Sequence, residues 1–361
     1  MRQLTTVNEL EAVVGTRPQA MMMKAVDALD DGCRAVIANS PVAGFGFRDP
    51  DGTPWATVLG GPPGFVKVHS ATDVTVDVPT DRPAPAPGAQ VSLVFLLPGV
   101  GETLRFTASV VSVDGNTMQL RMAEAWVHCA KCIQRSHLWD PADAAAHRAP
   151  TLPEGFDAAS SPIGQLAALQ ILGAASFAFV TSFDRAGGAD CSPRGDRPGF
   201  IRILDEHTVA IPDRKGNRRT DTFHNLIECD DLALCALVPG RTELLHLSGH
   251  GFVTDDAELL ADMALNERPP HAALIVRIDG ASVLDNPGIA AGRMWDTDTH
   301  VSSEGIPDLM ALGAEHLARS KAKGAKATAT RLVSKGLAAN PRFLRKGVDH
   351  GYRKELEEEG F

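Results

Sequence analysis

Asp190-Cys191-Ser192-Pro193-Arg194-Gly195-Asp196-Arg197-Pro198-Gly199-Phe200-Ile201-Arg202-Ile203 leads through a turn into Val209-Ala210-Ile211-Pro212-Asp213 and then Arg214-Lys215-Gly216-Asn217-Arg218-Arg219-Thr220-Asp221. The short apolar runs are rich in β-branched residues and are punctuated by Gly and Pro, which reads as strands joined by tight turns. Arg194, Arg214, Lys215, Arg218 and Arg219 fall at or near strand ends, with Ser192, Asn217 and Thr220 beside them. Gly195 and Gly216 allow backbone to approach a ligand closely. Guanidinium groups on short loops suit a phosphate, whose oxygens they bind in pairs. The same residues would also serve as solvated hairpin turns with ordinary surface charge.

Working outward, the stretch has a counterpart earlier in the chain. Gly60-Gly61-Pro62-Pro63-Gly64-Phe65-Val66-Lys67-Val68 matches Gly195 to Ile203 at an offset of 135, from Gly60 to Gly195. Leu97-Pro98-Gly99 with Glu102 matches Val238-Pro239-Gly240 with Glu243 at an offset of 141, from Pro98 to Pro239. The chain is therefore a tandem duplication. The rise in offset places extra residues in the second copy near the basic loop, where the first copy has only the Pro/Ala spacer around Pro83 to Gly88. The first copy ends in a polar, cationic segment, His128 to Trp139, for which the sequence shows no counterpart after the second copy. If the two copies pack face to face, that segment meets the basic loop and builds one anion site per chain.

The periodicity predicts helix over residues 1 to 31, interrupted at Pro18. Strands are predicted at Arg34 to Ala38, Gly44 to Phe47, Trp55 to Leu59, Phe65 to Val68, Val74 to Val78, Val91 to Leu97, Thr103 to Val113 and Met118 to Met122. Glu124 to Trp139 reads as one helix. The organisation expected is an N-terminal barrel with its leading helix over residues 1–140, a linker over 141–162, a second barrel over 163–286 and a helical, basic tail over 287–361. In the second copy a helix at Ile163 to Gly173 precedes strands at Ser176 to Ser182, Ala189 to Ser192, Phe200 to Leu204, Val209 to Ile211, Leu232 to Val238, Leu244 to Val253 and Ala273 to Ile278, with a short helix at Thr222 to Glu228. The tail reads either as a solvated extension or as a basic lid or dimerisation arm.

Composition narrows the class. With 361 residues, 44% hydrophobic and 22% charged, the chain can bury two cores. A formal charge of −10 argues against general nucleic-acid binding. No apolar run or leader pattern predicts a membrane span or export, so a cytoplasmic location is expected. Six scattered cysteines read as reduced thiols, and the Cys129/Cys132 pair lacks the second pair a zinc site needs, so no metal is expected.

Ser192-Pro193-Arg194-Gly195-Asp196, Pro198-Gly199-Phe200, Ile211-Pro212-Asp213, Gly216-Asn217-Arg218-Arg219 and Pro239-Gly240-Arg241 together resemble the pyridoxamine 5'-phosphate oxidase-like group of FMN-binding split barrels. His128-Cys129-Ala130-Lys131 with Arg135-Ser136 and Leu138-Trp139 is similar to the motif that ends single-barrel members. The resemblance covers residues 20 to 280. It implies a mainly β architecture of two Greek-key split barrels forming a pseudo-dimer within the chain, followed by the helical extension. It implies FMN at their interface, gripped by Lys215, Asn217, Arg218 and Arg219, with Ser192 and Arg194 beside the ring and Lys131, Arg135 and Ser136 reaching in from the other barrel. The activity implied is that of an FMN-dependent oxidoreductase acting on a small molecule, with His128 as the candidate acid/base group. The C-terminal Arg/His signature of true pyridoxamine-phosphate oxidases is missing. FAD, deazaflavin F420 or haem are alternative cofactors, a flavin-binding interaction protein is an alternative without catalysis, and a further homodimer is compatible with all of these.

Overall fold

The computed structural model describes residues 1–140, 149–301 and 306–361. Part of the expected linker, residues 141–148, and residues 302–305 of the tail lie outside the described residues.

The first copy runs α1 (Val7–Val14), α2 (Gln19–Met22), α3 (Asp31–Asn39), β1 (Val42–Arg48), β2 (Pro54–Gly60), β3 (Lys67–Val68), β4 (Asp73–Asp77), β5 (Gln90–Leu96), β6 (Thr103–Asp114), β7 (Thr117–His128) and α4 (Lys131–Ser136). The second runs α5 (Leu166–Ala174), β8 (Phe177–Phe183), β9 (Ala189–Gly195), β10 (Arg202–Asp205), β11 (Thr208–Asp213), α6 (Asp221–Glu228), β12 (Asp231–Leu237), β13 (Glu243–Thr254), α7 (Ala257–Asp262), β14 (Ala272–Asp285) and α8 (Pro287–Ala291). The tail adds α9 (Leu309–Arg319), α10 (Ala325–Ala338) and α11 (Pro341–Glu359).

Each copy folds into a seven-stranded antiparallel sheet. The orders are β2-β1-β5-β6-β7-β4-β3 and β9-β8-β12-β13-β14-β11-β10, which are the same order strand for strand. The protein is thus two tandem split barrels. Their central strands explain how they meet. β1, β5, β8 and β12 are buried almost throughout. Alternate residues of a strand face opposite sides. Phe45, Leu93 and Phe95 enter the first barrel's core, and Val180, Leu232 and Leu234 the second. The intervening Val42, Val94, Phe177, Phe179, Ala233 and Cys235 form a third apolar cluster between the barrels. A strand apolar on both faces is one covered on both faces.

The helix expected over residues 1 to 31 is not continuous to its end, since Val26 pairs with Ala125 of β7 as a β-bridge. Three further expectations fail. Arg34 to Ala38 lies in α3, because Asp30 caps it by accepting from the Cys33 amide at 3.0 Å and Cys33, Val36 and Ile37 form its buried face. α3 corresponds to α5 at the 135 offset, Asp31 to Leu166, so it is the leading helix of its barrel. Glu124 to His128 continues β7, held by backbone pairing to β6 as far as Thr103 opposite His128. Ladder pairing outweighs the polar composition that suggested helix. Third, α1 packs on the second barrel: the Leu4 amide bonds the Val253 carbonyl at 2.9 Å, and Leu10 and Val14 join the second core.

The barrels also exchange their terminal helices. Beside α4, a Cβ on Gly195 of β9 would lie 2.0 Å from the Cys132 carbonyl oxygen. Beside α8, a Cβ on Gly60 of β2 would lie 2.2 Å from the Gly288 carbonyl oxygen. Backbone cannot yield as a side chain does, so Gly195→Ala is expected to cost about 2 kcal/mol or more through overpacking. Gly336→Ala, on exposed α10 with nothing within 4 Å, should be neutral or slightly stabilising. Urea denaturation midpoints of the two variants check this, and equal midpoints would mean that α4 does not dock there.

Candidate functional site at one of two barrel seams

The duplication creates two pseudo-equivalent seams, and they have diverged. The expected absence of a counterpart to the His128 to Trp139 segment is wrong. Residues Pro287 to Asp296 repeat Lys131 to Asp140. His137 and Arg293 both have φ of 48°. The Leu138 amide bonds the Ile133 carbonyl and the Met294 amide bonds the Ile289 carbonyl. The Trp139 Nε1 donates to the Val100 carbonyl at 2.7 Å, and the Trp295 Nε1 to the Arg241 carbonyl at 2.6 Å. The match escaped the sequence reading because few side chains survive in it. Pro287 replaces Lys131 and Ala291 replaces Arg135.

The seam that keeps the cations encloses a cavity of about 920 Å³. β9 places Asp190, Ser192 and Arg194 on one face at alternate positions. The loop from Arg214 to Thr220 turns sharply, with Arg218 at φ 56° and Thr220 at φ 48°. Asn217 closes it by accepting from the Arg219 amide at 3.0 Å. α4 reaches this loop from the other barrel: Lys131 and Arg135 donate to the Lys215 carbonyl at 3.4 and 2.6 Å. The structure therefore brings His128, Lys131, Arg135, Ser192, Arg194, Lys215, Asn217, Arg218 and Arg219 to the wall of one cavity. Ser136 is not among its lining residues. It is buried at the end of α4, where its Oγ donates to the Ile133 carbonyl and its carbonyl accepts from the Ser176 Oγ.

Several roles differ from the expected ones. The Ser192 Oγ donates to Asp190 at 2.9 Å, so it braces a carboxylate. Arg194 pairs with Asp213 at 2.8 Å, and burial raises the Asp213 pKa against the pull of Arg194. Arg219 is buried, lies 3.7 Å from the Trp126 ring centroid, and pairs with Asp221 and Glu124 at 2.5 and 2.9 Å. Lys215 and Arg218 are exposed. Burial, then the charges of Arg105 and Arg194, holds the His128 pKa well below the ordinary histidine value. At neutral pH His128 is a neutral hydrogen-bonding group and not a reservoir of protons. All six cysteines are free, and burial pushes the Cys132 thiol up to about 12, which makes it inert.

The sequence reading missed the centre of the site. Arg105 of β6 and Asp190 of β9 form an ion pair across the seam, both almost fully buried, and the Thr222 Oγ also donates to Asp190 at 3.1 Å. At the offsets of the two copies, Arg105 corresponds to His246 and Asp190 to Trp55. These stack at 4.1 Å between ring centroids and fill the other seam. Leu59 stands there for Arg194 and Thr57 for Ser192. Within the polar seam, Arg105 Nε, Arg194 Nε, Arg219 Nη1 and His128 Nδ1 are enclosed without a hydrogen-bond partner among the described residues. All four residues line the cavity. Buried polar atoms without partners are costly, and their clustering beside the cavity marks this seam as the one not optimised for stability.

No family model and no curated protein matches the chain. Solved structures of split barrels resemble parts of it. HupZ of Group A Streptococcus is 16% identical, over 30% of this chain and 86% of that one, with a TM-score of 0.25. A Clostridium acetobutylicum protein related to general stress protein 26, of the pyridoxinephosphate oxidase family, is 10% identical over 32% and 84%, with a TM-score of 0.26. An F420 reductase is 14% identical over 36% and 98%, with a TM-score of 0.25. These likenesses concern the fold. No helix among the described residues is long and apolar enough to cross a membrane.

Two expectations follow. Removing one partner of the buried pair, as in Asp190→Ala, should cost about 3–5 kcal/mol, whereas joint replacement by Leu at Arg105 and Asp190 should cost far less. A double-mutant cycle in urea reads this, and additive losses would count against a direct pair. In the filled seam, burial holds His246 at about 4. The unfolded chain takes up that proton near pH 6.5, so stability falls as pH drops from about 6.5 to about 4, by up to ~1.4 kcal/mol per pH unit from this group. Replacing His246 by Phe should flatten that part of the stability–pH curve, measured by denaturation at each pH.

Proposed function

We propose that the polar seam binds FMN, one per chain, and that the protein is an FMN-dependent oxidoreductase acting on a small molecule. The observation that carries this is the divergence of the seams: one is closed by a Trp55–His246 stack, while the other has become a cavity lined by Lys131, Arg135, Arg194, Lys215 and Arg218. The residues present fit the cofactor. A cavity of about 920 Å³ is in the range of ligand sites. Lys131 and Arg135 already hold carboxylates, Glu355 and Glu359, so an anion at this place is compatible with the wall.

Lys131, Arg135, Lys215 and Arg218 would hold the phosphate, and Arg219, paired with Asp221 and Glu124, would brace the loop that carries Lys215 and Arg218. Arg194 and Arg105 would meet electron-rich edges of the ring, and Ser192 would serve by fixing Asp190. Bound there, the flavin supplies the redox chemistry, and the chain supplies binding and orientation. His128 contributes a neutral imidazole whose Nδ1 holds or accepts a hydrogen bond. The Arg105–Asp190–Thr222 network keeps the inner wall rigid, because moving either charge would strand the other. Both walls come from one chain, so a second copy is not needed to complete the site. The free thiols fit a reducing cytoplasm.

Purified protein should be yellow or take up FMN at one per chain. Arg218→Ala should bind FMN about a hundredfold more weakly, through loss of two charge-assisted contacts worth roughly 3 kcal/mol. Titration by flavin fluorescence quenching, with FAD, F420 and haem in parallel, reads both. A protein that takes up none of these sinks the cofactor reading. Uptake of F420 or haem in place of FMN moves it to that ligand.

A further inference from the structure

The end of α11 sits on the rim of the cavity, and its composition is wrong for a helix end. Glu355, Glu357, Glu358 and Glu359 occupy its last turns. Helix C-termini carry partial negative charge, so acidic residues there are unfavourable. Glu355 and Glu359 are also like charges four apart, which repel on one face. No residue of α11 is fully buried, so little apolar packing offsets this.

The compensation comes from the seam. Lys131 pairs with Glu355. Arg135 pairs with Glu359 through its Nε at 2.9 Å. Two terminal carbonyls are met as well: Arg268 donates to that of Glu358 and Arg197 to that of Gly360. The Phe361 ring lies 5.6 Å from the guanidinium carbons of both Arg135 and Arg197. Gly360, at φ 94°, ends the helix with its amide on the Leu356 carbonyl at 2.9 Å. About two turns before, Tyr352 reaches the Met310 sulfur at 3.8 Å, and further back Arg345 ties α11 to Glu102 at 2.6 Å and Asp308 at 2.9 Å. The helix is therefore anchored at Arg345, and its acidic end is held by cations of the site.

We propose that the acidic end of α11 is a displaceable plug, and that the ligand admitted to the seam carries at least two negative charges, replacing Glu355 on Lys131 and Glu359 on Arg135. This rests on the ligand-binding reading of the seam and adds the charge class of the ligand and the device that selects it. A neutral or singly charged molecule leaves at least one of the two cations without its partner and so competes poorly. A phosphate dianion satisfies both. Once displaced, Glu355 and Glu359 lose their compensation, so the last turns of α11 loosen as the ligand enters.

The test uses the full-length chain and its E355Q/E359Q variant. FMN affinity is measured by fluorescence quenching. Hydrogen exchange of residues 352–361 is followed with FMN, with inorganic phosphate, and with chloride at matched ionic strength. The variant should bind FMN about tenfold more tightly, a typical coupling between competing sites. Phosphate and FMN, but not chloride, should speed exchange of these amides in the native chain. FMN binding with equal affinity in both proteins and unchanged exchange would overturn the plug while leaving the cofactor reading intact. Phosphate-driven loosening without any FMN binding would support the plug and sink the cofactor reading instead.

Discussion

The buried Arg105–Asp190 pair is the constraint from which the rest of the site follows. A guanidinium and a carboxylate with side chains 2% and 7% exposed are stable only if each stays where the other can meet it. Arg105 belongs to one barrel and Asp190 to the other. The pair therefore fixes how the barrels face each other, beyond what apolar packing between β1, β5, β8 and β12 requires. It also sets the polarity of the inner wall. Ser192 and Thr222 both donate to Asp190, and Arg105 adds its charge to the field that keeps His128 neutral. Arg219 and Arg105 approach one Trp126 ring, at 3.7 and 4.9 Å, so the indole screens two cations that would otherwise repel.

The fold was legible because its punctuation is repeated. Gly60 to Val68 and Gly195 to Ile203 share two glycines: Gly60 and Gly195 are needed where a helix carbonyl of the other barrel comes close, and Gly64 and Gly199 where the turn takes φ of 79° and 78°. Of the site, the outer part was legible: Lys131 and Arg135 on α4 and the loop from Lys215 to Arg219 concentrate cations in two short stretches, one from each copy. The inner part was not. Arg105 lies between Leu104 and Phe106, and Asp190 between Ala189 and Cys191. Each reads locally as an outward-facing polar residue of a half-buried strand, since nothing local reveals that the outer face of β6 and β9 is covered by a second barrel. One signal was present: at the duplication's own offsets, these charges stand opposite His246 and Trp55. Ser136 shows the converse error, a polar residue in a cationic segment whose hydroxyl is used up within its own helix turn.

The strand at Arg34 to Ala38 and the helix at Glu124 to His128 were misread for related reasons. Short apolar runs do not distinguish strand from buried helix, and only the Asp30 cap decides the first. The second is decided by pairing with β6 along a twelve-residue ladder, which composition does not encode. α1 shows how far tertiary contact can depart from chain order. Its Thr6–Glu9 capping box makes it a helix wherever it packs, so nothing local says which barrel takes it.

The asymmetry of the seams has an energetic logic of its own. A two-fold homodimer carries two equivalent seams in its one interface and must build both sites or neither. Covalent duplication removes that symmetry, so each seam can be optimised separately. The filled seam took the stabilising course: stacked rings, Ile289 and Met294 at 0–1% exposure, and Pro and Ala where the other seam has Lys and Arg. The polar seam bears buried charges, donors without partners and a strained loop at Arg218 and Thr220. Such features cost stability and persist where function or a stabilising surround maintains them. The filled seam is that surround, since it locks the two barrels together through Gly60 and Gly288 at the far side of the interface. The structure thus separates the two demands that a symmetric dimer must satisfy with the same residues: cohesion at one seam, and a donor-lined cavity at the other.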